Sequence, residues 1–437
     1  MKKEWKQEAA RAGQGMRCAQ RFHKLKRAAL CCAMAAAMWV ESAYAAGIGP
    51  GVTNLSPQDS YAVYQWGLKN DGRLSVDRAK LKQEAYASLY QSYQQWESSG
   101  RIGIPPRTVE PGDFESEVLQ SQTGMDIHAA EAFALYEQTK AEKGDSAFRD
   151  VVVALIDTGV DTEHEELADA LWVNADEIPG NGIDDDGNGY VDDVHGYNFF
   201  NNNTEIRDNK QADLHGTHAA GTIAAKRGNG GMTGLVDNAH VKLMILKALD
   251  EDGAGTEESV LAAIRYAEAN GASICNLSLG GTEQFPKLEE AIAASKMLFV
   301  VAAGNGDARG VGYDTDARPV YPASFASDNI ISVANLIFAG ELERSSNYGA
   351  ESVDVAAPGT YIFSASPGNR FTFLTGTSMA APMVTGICAF VYSYRPDLTL
   401  FEVRDAVFST CTKLDSLQGK VKYGGVPNLY AAMQYGR

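Results

Sequence analysis

From residue 150 onward, apolar positions follow two rhythms. Short, nearly continuous apolar runs occupy 151–156, 241–246, 273–277, 298–303 and 330–333, several of them rich in Val and Ile. Between these runs, 260–269 and 287–294 carry apolar residues at helical spacing. A strand apolar at every position has to be covered on both faces, whereas a half-exposed strand alternates. Such runs alternating with helices predict an α/β fold, a doubly wound and mostly parallel sheet with helices on both faces. Ligands of such sheets bind beyond the carboxyl ends of the strands, and Asp157 immediately follows the first run. His215 and Ser378 each open a further predicted helix, over 217–225 and 379–394. Pro382 is placed in the first turn of the second, where proline is tolerated.

The N-terminal part reads differently. Residues 74–96 have helical spacing with no Pro or Gly and predict one long helix. Pro105, Pro106 and Pro111 make 101–112 an extended linker. At the start, Lys24, Lys26 and Arg27 precede an apolar run over 28–40 and the small-residue site Ala43-Tyr44-Ala45. That order predicts a secretory leader over 1–46, with an uncleaved anchor as the alternative. The run holds 13 residues, too few for an ordinary membrane span.

Composition narrows the partners. The chain has 437 residues and a formal charge of −18. The leader carries nine Lys/Arg against three acidic residues, a net +6, so the remainder stands at −24. Nucleic acid and anionic membranes are poor partners for such a surface. Three of the six cysteines fall in the leader; Cys275, Cys388 and Cys411 remain. This is no disulfide framework. Three buried thiols are expected, with a Cys388–Cys411 bridge as the alternative.

Three short blocks carry candidate chemistry: Asp157-Thr158-Gly159-Val160, His215-Gly216-Thr217-His218-Ala219-Ala220-Gly221 and Gly376-Thr377-Ser378-Met379-Ala380-Ala381-Pro382. A carboxylate, an imidazole and a hydroxyl can together activate a serine for attack on an acyl carbon. The three blocks, in the chain order Asp, His, Ser, resemble those of the subtilisin-like serine proteases. The resemblance covers 124–437 well and 59–72 weakly. It implies a secreted serine endopeptidase in which Ser378 is the nucleophile, His215 the base and Asp157 its orienting partner. His218 would pack structurally. Asn305, within 302–306, would donate to the oxyanion beside the Ser378 N–H. Ser278, Leu279 and Gly280 would line one side of a peptide cleft and Gly253 the other, with Gly304 beside them. Val320 would floor the pocket for the residue before the cut, and as a valine would disfavour very large residues there. Tyr321–Pro322 is expected to be cis, as in relatives. Asp250, Glu251, Asp252, Glu257 and Glu258 form either a solvated face or a preference for Lys or Arg two or four residues before the cut.

After the leader over 1–46, the resemblance sets domain limits: an N-terminal segment over 47–123 with a helical insertion at 73–122, and a catalytic domain over 124–437. Too few residues separate Ala46 from Gln65 for a propeptide of ordinary size, so folding without a conventional cleaved prodomain is expected. The ending 423–432 looks like the family's closing segment, so no further domain is expected after it.

Oxygen side chains recur at Asp184, Asp186, Asn188 and Asp192, with Gly189 for a sharp turn and the Tyr190 carbonyl available. A hard cation uses that alternation. The twelfth position is His195, so the loop is EF-like without being an EF-hand; an Asx-rich turn is the alternative. By resemblance, a second and fainter set is Asp59, Glu166 and the loop around Asn229. Structural Ca2+ is therefore the expected cofactor. Protein or peptide substrates are the expected partners of a monomer, with no nucleic acid and no stable membrane insertion beyond the leader. Two other classes stay open: a transpeptidase or macrocyclase using the same acyl-enzyme, and an inactive peptide-binding protein.

Overall fold

In the computed structural model, seven strands follow one another along the chain. They are β1 (Val151–Asp157), β2 (Gly196–Asn198), β3 (Val241–Lys247), β4 (Ile274–Leu277), β5 (Leu298–Ala302), β6 (Ile330–Leu336) and β7 (Val355–Pro358). All pair in parallel, in the order β2-β3-β1-β4-β5-β6-β7. The structure describes residues 55–56, 58–74, 119–207, 211–307 and 309–437. Among the described residues, seven α-helices accompany the sheet: α1 (Ala129–Lys143), α2 (Leu214–Ala224), α3 (Glu257–Ala269), α4 (Pro286–Ala294), α5 (Thr377–Tyr394), α6 (Leu400–Ser409) and α7 (Leu429–Met433).

The continuous apolar runs are explained by the two layers on the sheet. Val151, Val153 and Leu155 of β1 join one core cluster with Ile223 of α2 and Val384 and Ile387 of α5. Ala154 and Ile156 join another with Val260 and Ile264 of α3 and Leu288 and Ile292 of α4. Both faces of each strand are thus out of water, and each fully buried aliphatic side chain contributes about 1.5–3 kcal/mol. Helix α5 is buried along its whole length except at Ser378 and Tyr392. A helix apolar all round belongs in a core, and here Ser378 makes a polar opening at its start.

Strand order fixes where a ligand can sit. From β1 the chain moves to β3 on one side, then crosses to β4 on the other. At such a reversal the connecting loops part and leave a crevice beyond the carboxyl ends of the strands. Asp157 ends β1, Ser278 follows β4, and Ala303 to Asn305 follow β5, so all of them lie at the strand ends beside that crevice.

Residues 58–74 are part of this unit. Trp66, Leu68 and Leu74 are buried, and the Trp66 indole donates to Thr360 O at 2.8 Å. Ile127 N donates to Gly67 O at 3.0 Å, so the two segments separated in sequence adjoin in space. Arg73–Leu74 pairs antiparallel with Leu119–Gln120. The chain therefore leaves the described unit after Leu74 and rejoins it at Leu119 through one short ladder. The predicted leader, the 74–96 helix beyond its first residue and the 101–112 linker lie outside the described residues. Among the described residues, no helix is long and apolar enough to cross a membrane. Cys275, Cys388 and Cys411 are free, buried thiols, so the Cys388–Cys411 bridge is not formed.

The antiparallel hairpin of β8 (Ile362–Ser366) and β9 (Arg370–Leu374) was not expected from the sequence. Pro382 also falls deeper in its helix than expected. Helix α5 begins at Thr377, so the proline lies one turn beyond the start.

Candidate active site

Asp157 closes β1 with its carboxylate buried. Its Oδ1 accepts from Thr158 N at 2.7 Å and meets His215 Nδ1 at 2.8 Å. His215 enters on the first turn of α2, and Gly216 lets that helix come this close. A Cβ at Gly216 would lie 2.1 Å from Gly159 O. Burial pulls the His215 pKa down, while the charge and hydrogen bond of Asp157 raise it; Asp157 prevails and the pKa stands above its ordinary value. His218 has the opposite environment. Burial pushes its pKa down to about 3, and its Nε2 donates to Ile362 O at 2.9 Å. It is a neutral core histidine, as the resemblance implied.

Ser378 stands at the start of α5, where unpaired backbone N–H groups and the helix dipole favour an anion. Its hydroxyl donates to Ser278 O at 3.2 Å. Pro382 has no N–H to offer the carbonyl four residues back, which is that of Ser378. The Ser278 hydroxyl takes that place, donating to Ser378 O at 2.9 Å. Ser278 thus grips Ser378 at both its hydroxyl and its carbonyl.

Asn305 is oriented by Thr377. Its Oδ1 accepts from Thr377 N at 2.8 Å and from Thr377 Oγ1 at 3.1 Å. With the oxygen held, the remaining polar group of the amide is its NH2, on a side chain that lines the cleft. Thr377 was missed in the sequence reading; its only signal was its place in the Gly-Thr-Ser string.

His215, Ser378, Asn305, Ser278, Leu279, Gly280, Gly253 and Gly304 share one cleft of about 520 Å³. Val320 is buried beneath its floor, with Cγ1 3.3 Å from where a Cβ on Gly280 would stand. Gly281 and Tyr321 form an antiparallel bridge, and Tyr321–Pro322 is cis. The acidic residues divide. Glu251 and Asp252 line the cleft. Asp250 caps a turn, accepting from Asp252 N and Ala254 N at 3.0 and 2.8 Å. Glu257 and Glu258 lie in the first turn of α3.

Of the five residues expected to bind a cation in the 184–192 loop, three come together, the Asn188 N–H donating to Asp184 Oδ1 at 3.0 Å and to Asp186 Oδ1 at 2.9 Å. Asp184 and Asp186 gather with Glu177, offering carboxylate oxygens within 4.8 Å of one another. The Asp192 carboxylate accepts from Asn181 N and Gly182 N at 3.1 and 3.0 Å, while its N–H donates to Glu177 Oε2 at 3.0 Å. Asn188 donates to Asp186 and Asp193, each at 2.9 Å, and the Tyr190 ring packs on Tyr197, Phe199 and Tyr266. Glu177 lies seven residues before Asp184, outside the span whose alternation drew the sequence reading. Three clustered carboxylates form an oxygen-only set that fits a hard cation.

Asp59, Glu166 and Asn229 also meet. Asp59 accepts from Gly228 N, Gly230 N and Thr233 Oγ1 at 2.9, 3.1 and 2.8 Å. Glu166 accepts from Met232 N and Asn229 Nδ2 at 3.1 and 3.0 Å. Burial, with the Asp59 charge adding to it, pushes the Glu166 carboxyl up to about 7 against those hydrogen bonds. A buried carboxyl whose charge is disfavoured by burial and by a neighbouring buried carboxylate also fits a cation.

Comparison with known proteins comes out the same way. Residues 149–430 match the family model described as "Subtilase family". The chain is 36% identical over 253 residues to the "Major intracellular serine protease" of Bacillus subtilis (strain 168), covering 57% of this chain and 70% of that one. It is 37% identical over 231 residues to "Subtilisin DY" of Bacillus licheniformis, covering 52% and 80%. It is 32% identical over 351 residues to "Subtilisin-like protease 1" of Plasmodium vivax, covering 75% and 53%.

Proposed function

We propose, on the premise that this chain belongs to the subtilase family and is a serine endopeptidase, that Asp157, His215 and Ser378 are its catalytic triad. One observation carries the reading: an imidazole paired at 2.8 Å with a buried carboxylate opens on the same cleft as a serine at a helix start. Ser378 Oγ exchanges its bond to Ser278 O for one to His215 Nε2, gives up its proton there and attacks the scissile carbonyl. Asp157 holds the imidazole tautomer and stabilises the imidazolium. The oxyanion is held by the Asn305 amide and the Ser378 N–H. His215 then passes the proton to the leaving amine, and water, deprotonated by the same imidazole, hydrolyses the acyl-enzyme. Fluorophosphonate labelling with mass spectrometry tests this directly. The adduct is expected on Ser378 and is lost in His215→Ala; an adduct on another residue would refute it.

The substrate is a protein or peptide, with a preference for Lys or Arg upstream of the cut. Glu251 and Asp252 carry this preference, because they line the cleft and Glu257 does not. Exposed charge pairs are worth about 0.2–1 kcal/mol. Glu251→Lys should therefore cut kcat/KM for a Lys-containing peptide by up to about five-fold relative to a neutral one, and less at high salt. Equal relative rates in parent and variant would exclude the preference.

Ca2+ binds structurally at Glu177, Asp184 and Asp186, and at Asp59, Glu166 and the Asn229 loop. A ligand at about 100 times its Kd stabilises the folded state by about 2.7 kcal/mol, which is several degrees in Tm for a chain of this size. EDTA should lower Tm by that much and added Ca2+ should restore it. A Tm indifferent to both would rule the sites out.

Export rests on the leader over 1–46 alone, since the relatives include an intracellular protease. N-terminal sequencing of enzyme from the medium should read a start before Asp59. That residue and Trp66 are built into the catalytic unit. A start beyond residue 120 would mean that the 47–122 segment is removed as a prodomain.

A further inference from the structure

Asn305 can serve an oxyanion only if its backbone is held still, and one buried side chain ties down the residues on either side of it. Asn347 lies in the loop after β6 and is buried. Its Nδ2 donates to Ala303 O at 3.0 Å, and its backbone N donates to Gly304 O at 3.0 Å. Its Oδ1 accepts from Gly306 N at 3.1 Å and from Tyr313 N at 3.2 Å. Residues 303, 304 and 306 are thus all bound to Asn347, and the Asn305 amide between them is left to Thr377 and the cleft. On the opposite side, Gly304 N donates to Thr377 Oγ1 at 3.1 Å. The approach is close enough to require a glycine. Gly304 has φ +95°, and a Cβ there would lie 2.7 Å from Asn347 Nδ2.

We propose that Asn347 is a positioning residue of the oxyanion site, fixing the loop that aims the Asn305 amide. This rests on the reading of Asn305 as an oxyanion donor. The task needs a donor and an acceptor on one planar group, because a carbonyl on one side of Asn305 and two N–H groups on the other are bridged together. Aspartate keeps the acceptor but sets an oxygen against Ala303 O. Alanine leaves Ala303 O, Gly306 N and Tyr313 N without these partners. In either case the loop relaxes, and a displaced oxyanion donor acts on the transition state while ground-state binding is spared.

The test is kinetic. In Asn347→Asp and Asn347→Ala, kcat on a peptide anilide should fall about 10- to 100-fold with KM within about two-fold. Affinity for a peptide aldehyde, whose adduct carries the oxyanion, should fall in step with kcat, while affinity for the product peptide stays unchanged. Asn347→Ser, smaller and still able to hydrogen bond, should recover part of the loss, and fluorophosphonate titration counts folded sites in every preparation. In an Asn305→Ala background, the Asn347 substitutions should cost less than about two-fold more, because the donor they aim is gone. A loss undiminished in that background would overturn the proposal, as would a parental kcat in a folded Asn347→Asp enzyme. A parental kcat in Asn305→Ala alone would instead remove the oxyanion reading on which the proposal stands.

Discussion

His215→Ala and Ser378→Ala are each expected to lower kcat by about 10⁶-fold, and the double variant should be no slower than either single one. Asp157→Ala should cost about 10⁴-fold. These magnitudes are those established for subtilisin and are carried to this relative, not obtained from it. The non-additivity is the informative part. In the proposed mechanism the Ser378 hydroxyl becomes a nucleophile only by losing its proton to His215, so removing either partner removes the same step. Residual turnover would come from binding and the oxyanion site, which these substitutions leave in place. Losses that multiplied in the double variant would mean that the two residues act independently. The pH profile adds a second check. His215 must be neutral to accept the proton, and its pKa is raised above the ordinary 6.5, Asp157 outweighing the effect of burial. The acid limb of kcat/KM should therefore fall above pH 6.5, with activity lost as pH drops through it.

The parts of the fold legible in the sequence were those whose physics is local. Strands β1 and β3 to β6 could be read because both faces of the sheet are covered and so every position is apolar. The hairpin of β8 and β9 could not. Its strands bury Ser364, Ser366 and Thr372, and Ser364 is satisfied by His218 O, 146 residues away in sequence, at 2.7 Å. A polar residue inside a strand reads as a surface position until its distant partner is known. The site divides in the same way. Asp157, His215, Ser378 and Asn305 sit in recognisable strings. Thr377, Ser278 and Asn347, which hold them in place, act through bonds spanning dozens of residues or through backbone atoms. Pro382 illustrates the gap well. Its local reading is helix tolerance, yet its effect is to free the Ser378 carbonyl for the Ser278 hydroxyl. Glu177 escaped because its carboxylate meets those of Asp184 and Asp186 only through folding, and the alternation of oxygens within one loop does not reach it.

Asn305→Ala is expected to lower kcat by about 10²- to 10³-fold with little change in KM, equivalent to about 2.7–4 kcal/mol of transition-state stabilisation. This range too is subtilisin's own. KM should hold because the amide meets charge only after the carbonyl has been attacked. Alanine also strips Thr377 of its acceptor, so a structural explanation needs separate exclusion. Asn305→Asp supplies it. The aspartate keeps an oxygen for Thr377 N and Thr377 Oγ1, which now reach Oδ1 at 2.8 and 3.1 Å. It replaces the donor alone, presenting a carboxylate oxygen where the oxyanion must develop. If the amide acts as an electrostatic donor, the aspartate enzyme should be folded, bind product peptide normally and be at least as slow as the alanine enzyme. If Asn305 serves only to brace Thr377, aspartate should restore most of the activity that alanine loses. The two roles therefore predict opposite orders for the same pair of variants, and kcat measured on equal titrated sites decides between them.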